Sequence, residues 1–140
     1  MAKLILKRED YQKMLEYSLQ HKPVEACGII AGTIDEDAEK YFSTKIYLMK
    51  NTKNSPEHYL MEPEEQFDVF KDMRENDLDF ISVFHSHPHS PARPSQEDID
   101  MANYKEAIYL IISLQQKQED FRAYFIQDEQ PEEIEVEVKI

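Results

Sequence analysis

At 140 residues, with 16 Lys+Arg against 29 Asp+Glu and a formal net charge of −13, the chain has the length of one domain that can bury its own core without staples. A surface of that sign repels phosphate backbones and anionic lipid, which argues against nucleic-acid and membrane partners. The lone cysteine excludes an internal disulfide, no apolar run nears a membrane span, and the opening MAKLILKRED lacks a signal-like apolar stretch, so a cytoplasmic protein is expected.

Residues 9–21, EDYQKMLEYSLQH, set Tyr11, Met14, Leu15, Ser18 and Leu19 at helical spacing, with acids at the start and His21 as a dipole partner at the end. This predicts an amphipathic helix stopped by Pro23. VEACGIIAGTI follows as a buried strand from near Glu25 toward Gly32, and KYFSTKIYLMKN as a second. Residues 51–63 form a loop, with His58 at the surface. The next helix is expected over 64–76, with Pro63 in its first turn and Phe67, Phe70 and Met73 as its buried stripe.

LDFISVFHSH is a short apolar strand that Pro88 ends, because proline has no backbone donor. SQEDIDMANYKEA predicts a helix, and IYLIISL and FRAYFIQD two strands. In the closing EIEVEVKI, Ile134, Val136, Val138 and Ile140 share one parity, the mark of a half-exposed strand. With no repeat and no linker, one α/β sandwich around a central sheet is expected over residues 1–140.

Three of the five histidines fall in HSHPHSPARPSQED, residues 85–98. On a strand His85 and His87 share a face, with α-carbons roughly 6–7 Å apart, so two imidazoles can converge on one ion. A catalytic zinc typically takes three protein ligands and leaves the fourth corner to water. His89 and Asp98 are the candidates for the third. Pro88 breaks the strand before His89, whereas Asp98 opens the following helix and can swing back over the strand end. Ser95 and Asp98 also read as a helix cap of the S-x-x-D type. Glu25, an acid at the edge of an apolar strand, is a candidate base, because burying it without a role is costly. Cys27, two positions on, reads as a small buried hydrophobe.

Glu25 in EACGIIAG, followed by H-x-H-P with seven residues between the second histidine and S-x-x-D, resembles the JAMM or MPN-domain zinc metalloproteases, in particular their short prokaryotic members. NSPEHYLMEP and AIYLIISL look like the middle and later parts of those members. The resemblance implies a single-domain α-β-α sandwich around a mixed central sheet, similar to the cytidine-deaminase fold. It further implies one zinc ion on His85, His87 and Asp98, Glu25 as the base and Ser95 as the oxyanion donor.

The activity implied is hydrolysis of a peptide or isopeptide bond at the C-terminal tail of a ubiquitin-like or sulfur-carrier protein. An exposed strand edge near residues 45–60 is expected to take up that tail. A metal-binding scaffold without turnover and a zinc hydrolase of small amides stand beside this reading. Deaminase chemistry is disfavoured, since no C-x-x-C ligand pair is present.

Overall fold

A computed structural model describes all 140 residues. In chain order the elements are β1 (Lys3–Leu6), α1 (Arg8–His21), β2 (Cys27–Asp35), β3 (Lys40–Met49), α2 (Pro63–Glu75), β4 (Asp79–His87), α3 (Gln96–Asp100), β5 (Ile108–Ser113), β6 (Asp120–Gln127) and β7 (Gln130–Val138). The strands form one mixed sheet in the order β1-β3-β2-β4-β5-β6-β7.

Alternation along the strands creates two apolar faces, and each is covered by a helix. On one face Leu4, Ile30, Ile46, Phe84 and Leu110 pack with Tyr11 and Met14 of α1. On the other, Cys27, Ile29, Val83 and Ile111 pack with Val69 and Met73 of α2. Helices therefore flank a central sheet as expected. The open sandwich is corrected in one respect: the sheet closes on itself. β1 pairs in parallel with β3 on one side and with β7 on the other, so both edges that an open sheet would leave are joined. Four residues are too few to show a period, which is why this strand has no signature in the sequence.

Three local expectations also change. The buried stripe of α2 runs through Val69 and Met73, with Phe70 half-buried beside it and Phe67 63% exposed. α3 ends at Asp100 and does not run on to 107, because the Tyr104 N–H donates to the Tyr109 hydroxyl (3.0 Å) and not to a helical carbonyl. The edge of β3 beyond Phe42 is lined in part by α1 and by Lys7, which precedes it. There Lys7 Nζ donates to the Thr44 carbonyl (3.0 Å) and the Tyr17 hydroxyl to that of Met49 (2.7 Å). Two carbonyls of that edge are thereby engaged by side chains.

Both glycines of the chain lie in β2. A Cβ on Gly28 would stand 2.3 Å from the Tyr47 carbonyl oxygen and 2.4 Å from the Phe84 ring, so only glycine lets β3 and the core approach β2 this closely. No helix is long and apolar enough to cross a membrane.

Candidate active site

The C-terminal end of β4 presents His85 and His87 on the face that carries Val83, and both are almost fully buried. Ser86 points to the other face. Its hydroxyl accepts the Ala26 N–H (2.8 Å), and its own N–H donates to the Ala26 carbonyl (2.9 Å). This stitch holds the segment with Glu25 alongside the histidines.

The loop after Pro88 returns through α3. Ser95 Oγ accepts the Asp98 N–H (3.1 Å), and Asp98 Oδ2 accepts the Ser95 N–H (2.9 Å), a complete capping box. The cap and the ligand readings of this pair are one arrangement: the box fixes the Asp98 rotamer so that Oδ2 points at the imidazoles. His85 Nε2 lies 3.0 Å from His87 Nε2 and 3.2 Å from Asp98 Oδ2, and His87 Nε2 lies 3.1 Å from Asp98 Oδ2.

These three donors form a near-equilateral triangle. A tetrahedral ion with bonds of 2.0–2.1 Å has edges of roughly 3.3–3.4 Å, so the triangle has dimensions compatible with one face of such a site. The tautomer agrees. His87 Nδ1 donates to the Pro91 carbonyl (2.7 Å), which leaves a lone pair on Nε2.

Electrostatics point the same way. Burial lowers the His85 pKa. Burial also opposes ionisation of His87 and Asp98, but the hydrogen bonds to Asp98 and the Pro91 carbonyl raise His87, and the charge and hydrogen bond of His85, with the bonds from His87 and Ser95, hold Asp98 well below the usual carboxylate range. His89 is exposed, and its carbonyl accepts from Gln115 Nε2 (3.3 Å). The group whose donor atoms converge is His85, His87 and Asp98.

Glu25 sits two residues before β2 and is only 3% exposed. Its Oε1 is buried with no hydrogen-bond partner. Burial raises its pKa from the ordinary 4.5 to about 8, with His87 opposing and Asp98 adding to the rise. An uncommitted carboxyl oxygen beside three convergent donors suits a site that takes a polar guest.

Asn51 holds this corner together. Its Nδ2 donates to the carbonyls of Glu25 (3.1 Å) and His58 (2.8 Å), while its Oδ1 accepts from the N–H groups of Lys53 (3.0 Å) and Leu60 (3.1 Å). That is the full capacity of an amide. The loop so pinned lays the Tyr59 ring on His85, with centroids 4.5 Å apart. Asn51→Ala is expected to lower the unfolding free energy in urea by roughly 2–4 kcal/mol, and a loss below about 0.5 kcal/mol would mean that the loop holds itself. Neither Asn51 nor Tyr59 is marked by spacing, though Tyr59 lies within the NSPEHYLMEP stretch and Asn51 three residues before it.

Ser95 is exposed, and its oxygen serves the cap as an acceptor, leaving its O–H proton to donate outward. The Cys27 thiol is fully buried and pushed up to about 12 by burial, with Glu65 and Glu25 adding, so it is no nucleophile. His21 lies against Tyr17, and His58 pairs with Glu97 at the surface.

The family of prokaryotic homologs of the JAB domain matches residues 7–127. The chain is 28% identical over 126 residues to the CysO-cysteine peptidase of Mycobacterium tuberculosis, covering 89% of this chain and 84% of that protein. To the desampylase of Haloferax volcanii it is 33% identical over 92 residues, covering 65% of this chain and 63% of that one. The solution structure of protein DSY2949 from Desulfitobacterium hafniense aligns with a TM-score of 0.88 at 36% identity, covering 97% of this chain and 92% of that chain. The matched span takes in Glu25, the histidine pair, Ser95 and Asp98, and the chain belongs to the prokaryotic JAMM/MPN family.

Proposed function

We propose that this protein is a zinc-dependent peptidase of the cytoplasm that hydrolyses a peptide or isopeptide bond at the C-terminal tail of a ubiquitin-like or sulfur-carrier protein. The observation that carries this reading is the unpaired Glu25 carboxyl beside a tetrahedral face of two imidazoles and a carboxylate. The substrate class is supported by the relatives named CysO-cysteine peptidase and desampylase.

His85 Nε2, His87 Nε2 and Asp98 Oδ2 would hold the ion. Zinc, when bound, supplies a Lewis acid that polarises an amide carbonyl and acidifies water. Glu25 takes the proton from the attacking water on its free oxygen and delivers it to the leaving amine, a transfer suited to a buried carboxylate with a raised pKa. Ser95 donates its hydroxyl proton to the oxygen that gains charge in the tetrahedral transition state. Kinship of the sheet with that of the cytidine deaminases is part of the same reading. The chemistry is not shared, since one cysteine cannot supply a C-x-x-C pair.

A protein tail as substrate separates this reading from a hydrolase of small amides and from a scaffold. The zinc-loaded protein is expected to cut a carrier-protein conjugate at the carrier's C-terminus at least about 100-fold faster, in kcat/KM, than an acetylated amino-acid amide, because remote binding energy is available only from the carrier. Mass spectrometry of the products reads the bond. Equal rates would favour the small-amide enzyme, and no cleavage of either would favour the scaffold.

A further inference from the structure

Beside the donor cluster, on the same face of the sheet, lies a cleft of about 100 Å³ lined by Tyr59, Met61, Val83, Met101, Tyr104 and Tyr109. It adjoins the cluster through shared neighbours. The Tyr59 ring stacks on His85, Val83 precedes His85 by two residues on β4 and so points the same way, and Met101 caps the helix that carries Asp98.

Several polar groups along the cleft are engaged with one another. Gln66 Nε2 donates to the Met61 carbonyl (2.9 Å), the Tyr104 hydroxyl donates to Gln66 Oε1 (3.1 Å), and the Tyr109 hydroxyl accepts the Tyr104 N–H (3.0 Å). A charged side chain entering here would exchange water for mostly apolar walls, at a cost that an apolar one does not meet. Two large apolar residues of the lining, Leu60 and Met101, stand 40% and 48% exposed to solvent. The proton and metal chemistry above uses none of this surface.

We propose that the cleft is a specificity subsite for an aliphatic or thioether side chain on a substrate residue flanking the scissile bond. A bond seated over the donor triangle carries its neighbouring α-carbons one residue, at most about 3.6 Å, to either side, within reach of a cleft that shares a wall with His85. The two methionines give the lining a polarizable surface that adapts to branched, unbranched and sulfur-containing chains. The subsite rests on the peptidase reading and adds a side-chain preference to it.

Carrier–peptide fusions with Gly, Asp, Leu or Met on each side of the cleaved bond test this, assayed with the native sequence and with Met101→Glu. At one of the two positions Leu and Met are expected to raise kcat/KM by about tenfold or more over Gly and Asp, and Met101→Glu to bring that ratio near unity. Equal rates across the series, or a ratio that Met101→Glu leaves intact, overturn the subsite. If no fusion is cut, the peptidase reading fails and the cleft is read by binding. Protein carrying [methyl-13C]methionine is titrated with N-acetyl-leucine amide and with N-acetyl-aspartate amide. Shifts at Met61 and Met101 with the leucine amide alone support the subsite; their absence, or equal shifts with both, sinks it.

Discussion

Glu25→Gln is expected to lower kcat on a carrier conjugate by about 10²–10⁴-fold while leaving KM within a few-fold, since the amide keeps the shape of the side chain but cannot accept the proton. Turnover close to that of the native enzyme would remove Glu25 as the base.

The same substitution should stabilise the metal-free protein. Folding raises the Glu25 pKa from about 4.5 to about 8, with burial the leading cause. The folded chain therefore holds this proton more tightly than the unfolded one. The stability that comes with it is complete below pH 4.5, falls as the pH rises, and is gone above about pH 8. An amide in its place does not titrate, so the advantage of Glu25→Gln should be negligible near pH 4.5 and on the order of 3 kcal/mol at pH 7. Urea unfolding of chelator-treated protein across this range measures it. An advantage that does not grow with pH would show that the carboxyl is not desolvated in the folded state.

Zinc should stabilise the native chain, and Asp98→Asn should abolish most of that effect. At a free concentration of 1,000 times Kd the ion adds about 4 kcal/mol, which for a domain of this size is a rise of roughly 10 °C in Tm. The amide oxygen can still accept the Ser95 N–H, so α3 keeps its cap while the negative charge toward the ion is lost. Zinc affinity, followed by competition with a chromogenic chelator, is expected to fall by at least about 100-fold, more than the loss of an outer partner costs. His87→Ala, which deletes a donor outright, should leave Tm insensitive to the metal. An Asp98→Asn variant that binds as tightly as the native chain would exclude this carboxylate as a ligand.

Much of the site is legible in the sequence because its signals are local. His85 and His87 share a face by strand parity alone, and the S-x-x-D spacing announces both a helix start and an acid within reach of the strand end. Glu25 stands out by its polarity, but its near-complete burial depends on Ser55 and Asn51, which belong to a loop folded back over it. Tyr59 has no periodic signature, since a loop ring reaches His85 through the bonds that Asn51 and Thr52 make across the loop. On α2 the apolar residues Phe67, Val69, Phe70 and Met73 spread over more than one face, so helical period leaves two stripes open, and packing against the sheet decides that Val69 turns inward and Phe67 outward.

The amino-acid sequence by itself determined most element types, the apolar faces of most strands, the acidic surface and the donor chemistry, all of which follow from residue identity and short-range period. Only the tertiary structure decided the closure of the sheet through β1, the lining of part of the β3 edge by α1 and the convergence of three donors to within 3.2 Å. Each of these brings together groups separated along the chain, and a separation in sequence sets no distance in space until long-range pairing and burial have fixed it.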